Sequence, residues 1–266
     1  MSRVVVGFSC GAASAVAAKV AIERYKDERQ VEVVYCDTSH DEHPDNARFL
    51  ADVERWIERQ ITRLKNYKYS GIDDVFLTER YIVGQRGAAC TKRLKRDMAK
   101  RFERPEDLVV LGYTADEGKR IRDIETSQPS RRFVWVLADA GITKADCYRI
   151  IQAAGIELPA MYKLGYDHNN CIGCVKGGMG YWNKIRRDFP EVFARRAAIE
   201  REVGAQIIHG VWLDELDPEA GREVKEFDIE CGIYCASYTE LLTQAVSSLR
   251  AEAEKGNDRN GIPNRD

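Results

Sequence analysis

The chain has 266 residues, of which 44% are hydrophobic, so it is long enough for one large α/β domain and too apolar to be mainly disordered. Its 41 Lys and Arg residues against 43 Asp and Glu residues leave a formal charge of −2. This balance excludes attraction of the whole molecule to nucleic acid or anionic lipid, so any polyanion must bind to a local basic patch.

The N-terminal segment is apolar, but Ser9 and Cys10 interrupt it and no signal-peptide cleavage site follows. No apolar segment reaches the roughly 18 residues that a membrane span needs. We therefore predict a soluble, cytoplasmic protein with no membrane partner. Eight cysteines in so long a chain without a leader indicate metal, cluster or redox chemistry rather than structural disulfides.

Two β-α units open the chain. Residues 3–8 form an apolar run without helical periodicity, and a turn of small residues at 9–14 leads into a helix with apolar residues at i and i+4. Residues 31–36 repeat the pattern of a buried strand, and an amphipathic helix follows from near Pro44. Two β-α units in succession predict a parallel sheet.

The elements predicted beyond these units are a strand within 61–69, a basic helix at 91–102, a strand at 108–114, a helix from 143, a glycine-rich structured loop at 160–181, and helices at 189–203 and 238–255. Thr143 and Asp146 are placed to form a capping box. We predict a doubly wound parallel sheet with helices on both faces in a nucleotide-binding domain at 1–140. A helical, cysteine-bearing subdomain at 141–255 folds over the carboxyl edge of the sheet, and a polar tail follows at 256–266.

The turn between the first strand and helix, residues 9–14 (SCGAAS), is a candidate phosphate site. Small residues let backbone N–H groups approach an anion, and a helix N-terminus adds about half a positive charge. The predicted contacts are Ser9, Cys10, Gly11 and Ser14. The alternative is that the small residues only serve helix–strand packing; the turn is neither a Walker loop nor a dinucleotide fingerprint.

Asp37 follows the second strand and is a second candidate for nucleotide contact. In open parallel sheets, ligands bind beyond the carboxyl ends of the strands at the point where the strand order reverses. The alternative is that Asp37 caps a turn. His40 and His43 nearby are expected to be exposed loop residues rather than metal ligands.

Cysteine spacing gives a third candidate site, made of Cys90, the pair Cys171 and Cys174, and the pair Cys231 and Cys235. A C-x-x-C pair in a loop brings two thiolates to one metal or cluster, and zinc and iron–sulfur both fit. The alternative is buried free cysteines, which is the prediction for Cys36 and Cys147 because they lie in a strand and on a helical apolar stripe.

A charged run from Gly112 to Arg122 follows the predicted strand at 108–114. Gly112, Arg120 and Arg122 are predicted nucleotide contacts, because cations delivered from a strand end beside a phosphate loop neutralise polyphosphate and a leaving pyrophosphate. A solvated helix face is the competing interpretation.

Taken in order, these segments resemble the phosphoadenosine phosphosulfate (sulfonucleotide) reductase family, within the PP-loop adenine nucleotide α-hydrolases, also called N-type ATP pyrophosphatases. The motifs that carry the resemblance are FSCGAAS at 8–14, Asp37-Thr38 with Glu42-His43-Pro44, Leu111-Gly112 with Glu117 and Arg120, TKAD at 143–146, LGYD at 164–167 with CIGC at 171–174, and ECGI at 230–233. The likeness covers most of the chain and implies the adenine nucleotide α-hydrolase fold.

The sequence departs from the family pattern at several positions. Ala12 and Ala13 occupy the Lys and Asp positions of the ATP-activating loops, so other cations and Mg²⁺ ligands must replace them. Ala89 precedes Cys90, whereas cluster-bearing reductases have adjacent cysteines there, and Thr114 replaces the first Arg of the Gly-x-Arg element. Tyr234 replaces the His that follows the ECGI segment of the reductases.

The resemblance implies ATP with Mg²⁺ across residues 9–14, with Asp37 near the adenine or ribose and Arg120 or Arg122 near the phosphates. It further implies a [4Fe-4S] cluster, with zinc as the alternative. The implied cluster ligands are Cys90, Cys171 and Cys174, with the fourth position filled by Cys235 or Cys231 or left open. A free Cys231 would be the catalytic nucleophile, and Arg120 the catalytic cation.

Residues 171–193 resemble stand-alone reductase-like proteins of phages, mobile elements and DNA phosphorothioation or defence loci more than they resemble assimilatory enzymes. This likeness implies an ATP pyrophosphatase or sulfurtransferase that takes sulfur from a donor protein such as a cysteine desulfurase and passes it to a nucleic acid. The basic segment 91–105 is the expected contact with such a polyanion. The alternatives are a sulfonucleotide reductase that releases sulfite through Cys231, and a degenerate nucleotide-binding accessory protein.

Overall fold

Five parallel strands form a single sheet in the order β3-β2-β1-β4-β5. The strands are β1 (Val4–Phe8), β2 (Val31–Cys36), β3 (Thr62–Leu64), β4 (Leu108–Leu111) and β5 (Arg132–Val134). The computed structural model describes residues 3–222, together with Thr243, Val246 and Ser247. The chain builds outward from β1 to β3 and then returns to the other side of β1, so the order reverses between β1 and β4. The predicted α/β fold with a parallel sheet is confirmed.

Helices flank the sheet and continue beyond it. They are α1 (Ala12–Tyr25), α2 (Asn46–Ile57), α3 (Ile72–Glu79), a π-helical segment (Thr91–Arg96) that continues into α4 (Asp97–Phe102), α5 (Gly118–Ser127), α6 (Lys144–Ala153), α7 (Ala160–Lys163), α8 (Met179–Asp188) and α9 (Pro190–Val203). None of the helices in the described part of the chain is long and apolar enough to cross a membrane.

Strand β1 is apolar along its length because both of its faces are covered. Val4, Val6 and Phe8 pack on the α1 side of the sheet, while Val5 is buried on the opposite side. Val6 pairs with a residue of β2 on one side and of β4 on the other. The central strand therefore holds the carboxyl ends of its two neighbours in register with its own, which brings three loops to one edge.

The buried apolar residues form two clusters. The sheet core surrounds α1 and is built from β1, β2, β4, α2 and α6, with Val6, Val16 and Phe49 among its members. The helical core is built mainly from α3, α8 and α9, with Phe76 and Trp182 among its members. Each core draws on residues from both sides of position 140.

Several predicted elements differ from the observed ones. Strand β3 covers three residues of the predicted 61–69. Helix α8 was not predicted, and a second helix begins directly after it because Pro190 occupies the first helical position of α9. The capping box of α6 is confirmed, with Thr143 accepting from the Asp146 N–H. The predicted helix at 238–255 and the tail at 256–266 lie outside the described residues, apart from the three isolated positions named above.

Candidate nucleotide and cysteine site

A cleft of about 330 Å³ opens at the carboxyl edge of the sheet, where the order of the strands reverses. It lies between the β1–α1 loop, the ends of β2 and β4, and the start of α6. The polar residues that line it are Ser9, Ser14, Tyr35, Lys95, Tyr113, Glu117, Arg120, Lys144, Tyr148, Tyr162, His168, Asn169 and Asn170.

The β1–α1 loop, residues 9–14, forms one wall of this cleft. Its shape is fixed internally, because the Ser14 hydroxyl accepts from the Ser9 N–H at 3.1 Å and donates to the Gly11 carbonyl at 2.8 Å. Cys10 has a left-handed φ of 55°, an unusual conformation for a non-glycine residue. Its thiol is buried in the sheet core, and burial raises its pKa well above the usual range. Cys10 therefore shapes the loop through its backbone, while Ser9 and Gly11 border the cleft.

Gly112 lets the end of β4 pack directly on the first turn of α1. A Cβ atom at this position would lie 2.7 Å from the backbone nitrogen of Ser14 and 2.8 Å from its Cα. Gly11 is less constrained, since its Cβ would meet the Tyr162 hydroxyl at 3.2 Å. Gly112 is thus required for the close packing of β4 on α1, and its contact with a nucleotide stays a prediction.

Two residues from the second half of the chain hold the loop from outside. The Tyr162 hydroxyl accepts from the Ala12 N–H at 3.4 Å. The Asn169 side chain donates to the Cys10 carbonyl at 2.5 Å and to the Asn46 side chain at 2.7 Å. Sequence reasoning missed Tyr162 and Asn169, because they lie about 150 residues along the chain from the loop and follow no helical or strand period.

The buried Glu42 carboxylate extends this network beneath the cleft. It accepts hydrogen bonds from Tyr35 at 2.8 Å, Thr38 at 2.5 Å and Asn46 at 2.8 Å. Through Asn46 it is linked to Asn169 and so to the β1–α1 loop. A buried carboxylate with three donors is well satisfied, so its role is to fix the loop.

Three cationic side chains reach the cleft from separate elements. Arg120 pairs with Glu117 and lies 4.8 Å from the centre of the Tyr113 ring. Lys144 donates to the Asp167 carbonyl, and its pKa is lowered chiefly by burial. Lys95 is the third. Because Ala12 and Ala13 carry no charge, the anion-binding charge of this cleft comes from these residues; Lys95 and Lys144 were not predicted.

Arg122 and Asp37 lie outside the lining of the cleft. Arg122 is exposed, and it stands two residues from Arg120 on α5, so the two side chains point to different sides of the helix. Asp37 accepts from the Ser39 N–H at 3.1 Å and hydroxyl at 2.6 Å. Burial would raise the pKa of Asp37, but these bonds and the nearby Lys65 outweigh it and lower the pKa. Asp37 thus caps a turn, which was the alternative to its predicted contact with a nucleotide.

A second cavity, of about 200 Å³, contains the three predicted cysteines that lie within the described residues. Cys90 immediately precedes the π-helical segment, whereas Cys171 and Cys174 come from the loop before α8. That loop is anchored at both ends, because Ile172 N–H donates to the Asp41 carbonyl at 2.8 Å and Cys174 N–H donates to Tyr181 at 2.8 Å. Cys231 and Cys235 lie outside the described residues.

The three thiols are not arranged around a single point. Within residues 3–222 and the three isolated helical positions, no group of three His, Cys, Asp or Glu side chains is placed to hold one metal ion. Burial raises the pKa of Cys171 to about 12, and burial followed by the charge of Cys174 raises the pKa of Cys90. Without a metal, Cys171 and Cys90 therefore stay protonated at neutral pH. An iron–sulfur cluster binds its thiolates through separate irons, so it does not require them to converge.

The two cavities share a wall formed by Lys95, Arg120 and Asn170. Burial would lower the pKa of Lys95, but the neighbouring acidic groups Cys171 and Glu42 outweigh it and raise the pKa, so the side chain stays cationic. Lys95 lies in the π-helical segment, a geometry that occurs frequently at functional sites. One cation is thus placed between the cleft and the cysteines.

The two cysteines that were predicted to lie in the core differ in their burial. Cys147 is fully buried in the sheet core. Cys36 was wrongly assigned to the core: it is half-buried and lines the cleft, because it is the last residue of β2 and lies at the open edge. Its thiol contacts the Lys95 carbonyl at 3.5 Å.

No family model matches the chain, and neither does any curated protein or solved structure. The capabilities of the site therefore follow from its own geometry. It combines an anion-binding cleft, made of backbone N–H groups and three cations, with a compartment of three thiols on the other side of a shared wall. That combination suits chemistry on a nucleotide beside a metal cluster.

Proposed function

We propose that the chain is an iron–sulfur-dependent ATP pyrophosphatase of the sulfurtransferase type. The observation that carries the proposal is the wall of Lys95, Arg120 and Asn170 shared by the cleft and the cysteine cavity. A nucleotide bound in the cleft would lie next to a cluster bound in the cavity. Proximity of this kind is what a transfer between the two centres requires.

The cleft supplies the residues for nucleotide activation. The N–H groups at the start of α1 and the loop at 9–14 would bind the phosphates, as helix N-termini do. Attack of an acceptor oxygen on the α-phosphate forms an adenylated acceptor and releases pyrophosphate. Arg120 and Lys144 would neutralise the charge that develops on the leaving pyrophosphate. Glu117 is the carboxylate in the lining, and binding a phosphate-bound Mg²⁺ would replace its present contacts with Arg120 and Thr114.

The cysteine cavity is assigned to an iron–sulfur cluster, with zinc as the alternative. Its donors are three thiols from two segments, and Lys95 and Lys176 line the same cavity. Cys90, Cys171 and Cys174 would hold a [4Fe-4S] cluster, which when bound would supply sulfide that displaces AMP from the activated acceptor. Lys95 would compensate the negative charge of the cluster and its thiolates. The expected sulfur donor is a cysteine desulfurase together with a dithiol reductant, because its sulfane sulfur must gain two electrons to become sulfide. The expected location is the cytoplasm.

Anaerobic purification followed by iron, acid-labile sulfide and zinc analysis tests the cluster. We expect about four irons and four sulfides per chain, a loss of both in Cys171→Ser, and no loss in the matched core variant Cys147→Ala. A colourless protein with one zinc per chain would contradict the cluster and the sulfur transfer that depends on it.

Calorimetry tests the nucleotide. ATP should bind to the wild type and bind less tightly to Gly11→Val, whose side chain would collide with Tyr162. A preference for phosphoadenosine phosphosulfate over ATP would favour sulfonucleotide reduction instead. Absence of binding to either nucleotide would leave an accessory, non-catalytic role.

A further inference from the structure

A shallow groove of about 440 Å³ lies beside the candidate site, on the segment that follows β3. Its lining consists of Lys65, Asn66, Tyr67, Lys68, Tyr69, Arg93, Asp97 and Arg101. Tyr67 is 87% exposed, far above Leu164 at 41%, the next most exposed large apolar side chain among the described residues. A ring this exposed contributes little to the stability of the fold, so its position suggests contact with a ligand.

The groove is basic although the whole chain is not. Four of its lining residues are cations and one, Asp97, is an anion. Lys65, Lys68 and Arg101 form no ion pair with any residue that the structure describes, whereas Arg93 pairs with Glu79 and Asp97. The groove therefore has three cations available for an anionic ligand.

The aromatic and cationic groups are interleaved and held in place. The Lys65 ammonium lies 5.9 Å from the centre of the Tyr67 ring. Asn66, between them, donates to the Arg93 carbonyl at 2.9 Å and accepts from the Lys68 N–H at 3.2 Å. This turn fixes the backbone on either side of Tyr67, so its ring is presented to solvent from an ordered segment.

We infer that this groove binds single-stranded nucleic acid, with a base stacked on Tyr67 and the flanking phosphates on Lys65, Lys68 and Arg101. Exposed aromatic rings set among cations are how proteins bind unpaired strands, because every base offers a face for stacking. A duplex covers those faces, and an acidic peptide has no ring to match Tyr67. Binding of a duplex is therefore an outcome that the test must exclude.

The groove is connected to the candidate site through the π-helical segment. Arg93 lines the groove, while Lys95, two residues later on the same segment, lines the nucleotide cleft and the cysteine cavity. The groove and the candidate site therefore lie on different sides of one short segment, and a strand held at Tyr67 would reach the site of activation by passing around it. Its identity as the sulfur acceptor rests on the proposed function, whereas its binding to the groove does not.

Fluorescence anisotropy on the full chain, purified anaerobically without added ATP, tests the binding. The probes are labelled oligothymidylate and oligouridylate of equal length, which separate DNA from RNA, and a DNA duplex. Tyr67→Ala should weaken binding of the preferred single strand about tenfold, and Tyr67→Phe should restore it because the ring is retained. Thermal unfolding should be unchanged in both variants.

The double variant Lys65→Ala/Lys68→Ala tests the phosphate contacts. It should reduce the slope of log affinity against log salt by about 1.4, or about 0.7 for each lost contact. The matched control, Lys26→Ala/Lys163→Ala, removes the same charge from exposed lysines outside the groove and should leave the slope unchanged. Equal effects in the two double variants, equal binding by wild type and Tyr67→Ala, tighter binding of the duplex, or no binding of any probe would each overturn the inference. None of these results would affect the cluster or nucleotide measurements.

Discussion

The sheet core and the helical core position their functional residues by different means. In the sheet core, backbone hydrogen bonds between parallel strands set the ends of β1, β2 and β4 side by side. In the helical core, buried charged and polar side chains fix the loops, chiefly Arg196, Glu200 and Asn183. Glu200, for example, accepts from the Ile207 and Leu213 N–H groups at 2.5 and 2.7 Å. The positions of the strand ends should therefore depend on backbone pairing, whereas the loops of the helical core should depend on a few buried side chains.

The largest expected effect on stability comes from removing the Arg196 side chain, which would destabilise the helical core. This side chain has no exposed surface and pairs with Asp41 and Asp73, which are held near α9 by that charge. Arg196→Met leaves both carboxylates without their buried partner, and we expect it to lower the free energy of unfolding by about 3–5 kcal/mol. The control is Arg195→Met, whose half-exposed ion pair with Asp73 should cost less than about 1 kcal/mol in urea unfolding. Equal destabilisation by the two would contradict the buried role.

The corresponding change on the sheet side is Gly112→Ala. The added methyl would collide with the backbone of Ser14, so we expect a loss of about 1–3 kcal/mol in stability and weaker ATP binding by calorimetry. Gly178→Ala is the matched control, because its Cβ meets nothing within 4 Å. If Gly112→Ala bound ATP as the wild type does, the close packing of β4 on α1 would not be needed for the cleft.

Lys95→Met tests the wall that the cleft and the cysteine cavity share. Loss of this cation should weaken ATP binding about tenfold, roughly the 1.4 kcal/mol expected for a charged hydrogen bond. It should also reduce the iron content, because the same side chain faces the cysteines. Lys92→Met removes an exposed charge from the same segment and should change neither quantity. A loss of ATP affinity with full iron content would mean that the cation serves the cleft alone.

The smallest expected effect concerns the buried thiol of Cys147 in the sheet core. Burial raises its pKa far above that of the thiol in the unfolded chain, so above about pH 9 only the unfolded form loses its proton. Stability therefore falls as pH rises, by about 1 kcal/mol from this group between about pH 9 and pH 10. Cys147→Ala should show a shallower fall over that interval in urea titrations. Parallel curves for the two proteins would rule out this contribution.

The strands at the centre of the sheet could be predicted from the sequence, because strands buried on both faces are continuous apolar runs. Strand β2 has the predicted bounds, and β1 differs by one residue. Helix α8 was missed because Gly177, Gly178 and Gly180 make its start look like a loop. The burial of Trp182 and Ile185 outweighs that local preference, which no single-sequence pattern reports.

The site was predictable where strand ends define it and not where distant segments complete it. Ser9, Gly11, Ser14 and Gly112 line the cleft as expected. Lys144, Tyr162 and Asn169 also line it, but they come from segments whose approach to the sheet depends on tertiary packing. Lys95 was part of the predicted basic helix, but no pattern in the sequence shows that it lines both cavities.

The π-helical segment Thr91–Arg96 has an evolutionary consequence. A π-helical turn contains one residue more than an α-helical turn, so it can arise or disappear through a single-codon insertion or deletion. Deletion of one residue between Cys90 and Lys95 would leave an α-helix in which the two side chains keep nearly the same relative orientation, because the π-helical turn takes up its extra residue within one turn. A relative without the extra residue would therefore be expected to keep both the cleft and the cysteine cavity, with the helix between them one residue shorter.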